Sequence, residues 1–343
     1  MGGLFHSSSR LGGEAMAREA KYRAAMQITF PAARRVRLPE VTLEVHEAGS
    51  GPAVVMCHGF PELAYSWRYQ VNALAAAGFR AIAPDQRGYA WSDAPTRVED
   101  YSLDHLCDDM AHLLDALGIE RAVFAGHDWG GFVSWGMTVR HPDRCLGAIG
   151  VNTPYMAFPT TEQLRAVFKD DEKLYILWFQ QPGVAESVLD KNPRLVFEKM
   201  MRRATGPAAG LLFRGDMPQD ANPFRRLEAL QPMGETLLTA EELGVYTRAF
   251  ENSGFFGPVS WYRNADKDKR VMPELGVTKL TLPCLMVTAS WDAALPPQAA
   301  APMRALCSDL EIHEIACGHW TQQEQPAALT RAMLSWLRRK VTV

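Results

Sequence analysis

The sequence predicts an α/β fold: a mostly parallel sheet with helices on both faces and a helical cap inserted into it. Three observations carry that expectation. Short apolar runs ending in glycine or a turn alternate with segments of helical spacing, as in a buried parallel sheet. The alternation stops after Asn152 and resumes beyond about residue 265. One strand-turn-helix junction, "GHDWG" at Gly126–Gly130, has glycines on both sides of its central residue.

In chain order, "VTLEVHEAG" alternates like an edge strand. "AVVMCHG" is a continuous apolar run ending in glycine, the pattern of a buried strand. "AYSWRYQVNALAAAG" has helical spacing and a glycine stop. "FRAIAPD" is a second buried strand. "SLDHLCDDMAHLLDALG" is an amphipathic helix with Ser102 at its capping position. "RAVFAG" is a strand, "GFVSWGMTVRHP" a helix and "LGAIGVN" a strand. Residues 153–265 read as helices and loops rich in Met, Phe, Trp and Pro. Strand "LPCLMVTAS", helix "PPQAAAPMRAL", strand "LEIHEIA" and helix "PAALTRAMLSWLRRK" then complete the sheet. The expected organisation is an extension over 1–33, core over 34–152, cap over 153–265 and core again over 266–343. A cap in that place covers the C-terminal edge of the sheet, where open α/β sheets bind ligands.

Composition restricts the function classes. The chain has 343 residues, 47% hydrophobic and 22% charged, with a net charge of −3. That balance gives no reason to expect nucleic acid or an anionic membrane as partner, and no apolar run is long enough to span a bilayer. The six cysteines form no CxxC or ligand cluster. They predict buried thiols in a reducing, cytoplasmic setting. No metal or cofactor is expected. The first thirty residues lack the apolar centre of a secretory signal and read as a flexible tail leading into a short helix.

The chemistry-bearing residues follow strand ends. Asp128 sits in the junction "GHDWG", the strand-turn-helix context of a nucleophile elbow. "HGFPE", His58–Glu62, ends a neighbouring strand and can supply a backbone N–H to an oxyanion. Asp292 lies just past "CLMV", and His319 follows "LEIHEI". Nucleophile, acid and histidine in that order, at one sheet edge, form a triad of the α/β-hydrolase type. His127 reads as a packing residue of the elbow, His58 as a loop anchor, Cys317 as a small buried residue, and "KDKR" at Lys267–Arg270 as a solvated turn.

From about Arg34 onward the chain resembles the epoxide hydrolases of the α/β-hydrolase fold, in particular the hydrolase domain of soluble epoxide hydrolase. The stretches that carry the resemblance are "HGFPELAYSWRYQ", "GHDWGG", "FQQPGVAE" and "GPVSWYRN". The elbow comes too early in the chain to leave room for the phosphatase domain of the mammalian protein. The resemblance implies two cap tyrosines that bind and protonate the epoxide oxygen, matching Tyr175 and Tyr262 here. It also implies an oxyanion hole from the N–H groups of Phe60 and Trp129.

A carboxylate nucleophile suits an epoxide. The ring is an alkylating centre with no carbonyl to attack. A carboxylate opens it by displacement and leaves an ester, which water can hydrolyse. Asp128 is thereby the expected nucleophile, His319 the general base and Asp292 the group that orients it. The expected partners are a small apolar epoxide and water, with a homodimer left open. The rival expectation is a haloalkane dehalogenase, which uses the same Asp, His and Asp. It needs two halide donors, for which Trp129 and Trp178 are the candidates. A fluoroacetate dehalogenase would need arginine where Trp129 stands, and a non-catalytic binding protein would need no triad.

Overall fold

The computed structural model describes residues 29–204, 206 and 221–341. The tail expected over the first residues lies outside the described residues up to residue 28. Strands β1 (Ala33–Arg37), β2 (Thr42–Ala48), β3 (Ala53–Cys57), β4 (Arg80–Asp85), β5 (Ala122–His127) and β6 (Cys145–Val151) come before the helical insertion. Within the insertion, β7 (Arg202–Arg203) and β8 (Glu235–Thr236) form a two-residue ladder. Strands β9 (Leu280–Ala289) and β10 (Cys307–Ile315) follow it.

The main sheet has eight strands in the order β1-β2-β4-β3-β5-β6-β9-β10. The β1–β2 and β2–β4 pairs are antiparallel and the remaining pairs parallel. Strand alternation divides the core into two layers. Val54, Met56, Val123 and Ala125 face the layer of Trp67, Val71, Met333 and Trp336. Val55, Cys57 and Phe124 face the other, with Leu106, Phe132 and Trp135. That second layer continues into the insertion through Phe179, Leu189, Tyr246 and Trp261.

Four local expectations are corrected. β2 is not the edge strand, because β1 pairs outside it. β1 escapes a pattern reading because Arg34, Arg35 and Arg37 leave it only one buried residue, Val36. The insertion contains the small β7–β8 ladder in addition to helices. "KDKR" lies inside the Ala265–Val271 helix rather than in a solvated turn, since Asp268 is buried. Asp268 Oδ1 accepts from the Leu103 N–H at 2.8 Å, supplying the helix cap expected of Ser102. Ser102 does stand at the N-cap, but its hydroxyl bonds Glu99 and Asp104 instead.

The parallel strands all point one way, so β3, β5, β6, β9 and β10 end at a common edge. Helices Thr161–Phe168 through Ala265–Val271 lie in sequence between β6 and β9. No helix among the described residues is long and apolar enough to cross a membrane.

Candidate active site

The site is built around a strained turn. Asp128 has φ 51° and ψ −121°, between the end of β5 and the Trp129–Arg140 helix. A positive φ at a non-glycine residue costs about 1–3 kcal/mol and needs surroundings that enforce it. The glycines do so by letting the chains close in. A Cβ on Gly126 would lie 1.8 Å from the Gly130 oxygen, and one on Gly130 would lie 2.0 Å from the Cys57 oxygen. Thr153 Oγ1 and the Gly131 N–H both donate to the Asp128 carbonyl, at 2.7 and 2.9 Å. The side chain is thus set free of its own backbone, and the Phe60 N–H donates to Oδ1 at 2.8 Å. Trp129 begins the helix, where the leading N–H groups have no intrahelical acceptor.

Asp292 and His319 stand on the loops after β9 and β10. His319 Nδ1 bonds Asp292 Oδ2 at 2.8 Å, and Nε2 faces Asp128 Oδ2 at 3.6 Å. Asp292 is fully buried, and its carboxylate accepts further bonds from Asn152 Nδ2 at 2.6 Å and the N–H groups of Ala294 and Leu295. Burial alone would raise its pKa. The His319 charge and these donors override burial and lower the pKa to about 2. Burial likewise works against a charged His319, but Asp292 and then Asp128 push its pKa up to about 9.

Tyr175 and Tyr262 come from the insertion. Tyr175 begins the short Tyr175–Trp178 helix, and Tyr262 lies in the Phe256–Arg263 helix. The Tyr262 ring meets Phe60, Trp129, Phe179 and Tyr175 edge to face, with centroids 5.0–5.6 Å apart. The Tyr175 and Tyr262 rings are neighbours, and each phenol shifts the titration of the other. Burial, followed by the negative charge of Asp128, raises the Tyr175 pKa. For Tyr262, burial and then Tyr175 and Asp128 do the same. Both phenols are therefore protonated at neutral pH.

Asp128, Asp292, His319, Tyr175, Tyr262 and Phe60 line one cavity of about 210 Å³. Much of the rest of its wall is apolar, including Pro61, Met200, Phe224 and Trp320. Trp129 and Trp178 do not line it. The Trp129 indole is buried, stacked on Phe158 with centroids 4.6 Å apart. Among the described residues, the one cluster with metal-ligand spacing is Glu44, His46 and Asp85, and none of these lines the cavity.

Two neighbours of the site, Glu62 and Asn152, were not singled out from sequence, and a third, His127, was read only as packing. Glu62, the last residue of "HGFPE", is buried and accepts from the Gly59 N–H at 3.0 Å and from Gln322 Nε2 at 2.5 Å. It also bonds His127 Nδ1 at 2.6 Å, while His127 Nε2 bonds the His319 carbonyl at 2.6 Å. His127 is therefore a hydrogen-bonded link between the Phe60 loop and the His319 loop, more than a packing residue. Burial would raise the Glu62 pKa, but His127 overrides it and lowers it. Asn152 has φ 65°. An asparagine directly after a buried strand, where αL backbone is tolerated, is the signal that marks it.

Comparison with known proteins places the chain in a family. The model of the alpha/beta hydrolase fold matches residues 52–326. "Epoxide hydrolase A" of Mycobacterium tuberculosis is 36% identical over 318 residues, covering 90% of this chain and 97% of that protein. The chain belongs to the epoxide hydrolases of the α/β-hydrolase fold. "Bifunctional epoxide hydrolase 2" of Sus scrofa is 39% identical over 307 residues, and the chain spans 54% of its length. Among solved structures, epoxide hydrolase A from Mycobacterium thermoresistibile superposes with a TM-score of 0.80 at 36% identity. That match covers 90% of this chain and 98% of that one.

Proposed function

We propose that the protein hydrolyses an apolar epoxide to a vicinal diol through an ester on Asp128. The observation that carries this reading is a cavity with a carboxylate on one wall and two protonated phenols on another. Epoxide opening needs both at once: a nucleophile on carbon and an acid on oxygen.

In the first half-reaction an Asp128 oxygen attacks a ring carbon and the carbon–oxygen bond breaks. The electron pair moves to oxygen. The resulting alkoxide is a far stronger base than a phenolate, so Tyr175 or Tyr262 protonates it, and the neighbouring hydroxyl supports the phenolate. In the second half-reaction His319 takes a proton from water, and the hydroxide adds to the ester carbonyl. The N–H groups of Phe60 and Trp129 hold the tetrahedral oxyanion. Its collapse restores the Asp128 carboxylate. The two protons brought by water end on the leaving alkoxide and on the phenolate.

The electrostatics fit that order. In the free protein Asp292 and Asp128 together hold His319 towards its protonated form. Esterification removes the Asp128 charge and with it part of that hold. The imidazole becomes easier to deprotonate at the stage where a base is needed.

Residues 153–265 serve in this reading as the cap that carries the acids. The epoxide and water are the only partners it requires. Six free, buried thiols fit a reducing, cytoplasmic setting. The haloalkane reading is disfavoured because neither Trp129 nor Trp178 presents an indole to the cavity. Incubation with styrene oxide and with a bromoalkane, with diol and bromide measured, tests the choice. Diol without bromide is expected. Bromide release faster than diol formation would replace this reading with dehalogenation.

A further inference from the structure

The loop that carries His319 is tied down by one carboxyl group. Glu324 ends the short Thr321–Glu324 helix and is 1% exposed. Its Oε1 accepts from the Trp320 N–H at 3.1 Å, and its Oε2 from the Gly318 N–H at 3.1 Å. Those residues stand on either side of His319, so one side chain fixes the backbone before and after the imidazole. The close approach needs glycine at 318. A Cβ there would lie 2.9 Å from Glu324 Oε1 and 2.7 Å from the Ala204 Cβ.

The same group reaches the insertion. Oε2 accepts from the Ala204 N–H at 3.0 Å, and the Glu324 carbonyl accepts from Arg203 at 2.9 Å. The Trp320 indole adds a bond to the Met200 carbonyl at 3.1 Å. Met200, Arg203, Ala204, Gly318, His319 and Trp320 all line the cavity. Glu324 thus sits behind the seam where the sheet wall meets the insertion wall. Burial raises its pKa, while the three N–H bonds and then the Arg203 charge favour the carboxylate. Three N–H donors on one carboxyl group match the acceptor-only ionised form.

The two half-reactions depend on this seam differently. Ester hydrolysis needs His319 Nε2 placed against the attacking water. Ring opening needs Asp128, whose own bonds run to Thr153, Gly131 and Phe60. We propose that Glu324 is a positioning residue that sets His319 for ester hydrolysis and joins its loop to the insertion at Ala204. The step affected rests on the epoxide-hydrolase reading; the joining of the two walls does not.

Glu324→Gln tests this at nearly constant volume, because an amide nitrogen must then face at least one of the N–H donors. Rapid mixing with styrene oxide separates ring opening from ester hydrolysis. Hydrolysis should slow on the order of 10- to 100-fold while ring opening stays within about threefold, the cost of a misplaced group falling on one step. The ester should then accumulate and appear in the intact-protein mass. Gly318→Ala displaces the carboxylate without removing it and should give the same split, which keeps the test open if Glu324→Gln does not fold. Leu114→Ala weakens the core near the opposite edge of the sheet and should leave the ratio of the two rates at the wild-type value. Equal slowing of both steps by Glu324→Gln and Gly318→Ala, or no slowing of either, would overturn the positioning role.

Amide hydrogen exchange gives a readout independent of turnover. In Glu324→Gln the amides of Gly318, Trp320 and Ala204 should all exchange faster than in wild type. Unchanged exchange at Ala204 would show that Glu324 does not join the walls. If wild type opens no epoxide, the hydrolase reading falls, and exchange at these three amides still decides whether Glu324 holds the seam.

Discussion

The two walls of the cavity are held by different forces. On the sheet side, Asp128, Asp292 and His319 stand on strand-end loops and are fixed by hydrogen bonds. The Asp292 carboxylate has four hydrogen-bond partners: Asn152, Ala294, Leu295 and His319. On the insertion side, Tyr175 and Tyr262 are fixed by ring packing against Phe60, Phe179 and Phe224. Directional bonds hold an ion pair in one protonation geometry. Ring packing holds a phenol by its ring, so its position does not depend on the hydroxyl proton. In the proposed mechanism the sheet handles charge and the insertion delivers the acid.

The largest effect that sharpens this contrast is loss of the proposed nucleophile. Asp128→Ala should reduce diol formation by a factor on the order of 10⁴ or more, as for a removed catalytic nucleophile. The variant should stay folded, because the backbone bonds from Thr153 and Gly131 do not use the side chain. Circular dichroism and diol assay together check this. His319→Gln comes next. It removes the proposed base for ester hydrolysis but leaves ring opening possible, so intact-protein mass spectrometry should show the mass of one epoxide added. Unmodified protein that still binds epoxide would show that the sheet side also governs ring opening.

The insertion side predicts a graded loss. Tyr175→Phe and Tyr262→Phe keep the rings and should each slow alkylation about 10- to 1000-fold. The double change should bring ring opening close to background. Ester hydrolysis should suffer much less, and stopped-flow tryptophan fluorescence separates the two steps. Equal slowing of both steps would break the division of labour between the walls.

The smallest effect is on stability. The His319 pKa is raised to about 9, above the ordinary imidazole value near 6.5. Its contribution to stability is therefore full below about pH 6.5 and is lost as pH rises through about 9. The stability deficit of His319→Gln, measured by urea unfolding, should shrink across that window. Asp292, lowered to about 2, acts in the opposite direction. Its contribution is present above the usual carboxylate range near 3.9 and is lost as pH falls towards 2.

The sheet was legible because buried parallel strands are written as short apolar runs, and β3, β4, β5 and β6 all follow that rule. Strand β1 was not, because pairing with β2 holds it rather than any apolar pattern of its own. Asp128, Asp292 and His319 could be found because each follows a readable strand. Tyr175 and Tyr262 had no such marker and entered only through resemblance, since an aromatic in a helical block reads as packing. Glu62 and Asn152 were missed, and the linking role of His127 with them, for a third reason. Their partners lie far along the chain: Glu62 meets Gln322, His127 meets His319, and Asn152 meets Asp292. Likewise the helix cap supplied by Asp268 is a contact across 165 positions that no local pattern contains.

The central claim is that Asp128 itself attacks carbon, and the origin of the diol oxygen tests it most directly. A single turnover in oxygen-18 water, with protein in excess over epoxide, separates the two routes. The account predicts that the label enters the Asp128 carboxylate and is missing from the diol of that first turnover. Label in the first-turnover diol would mean that water attacks the ring directly, and the assignment of Asp128 as nucleophile would be wrong.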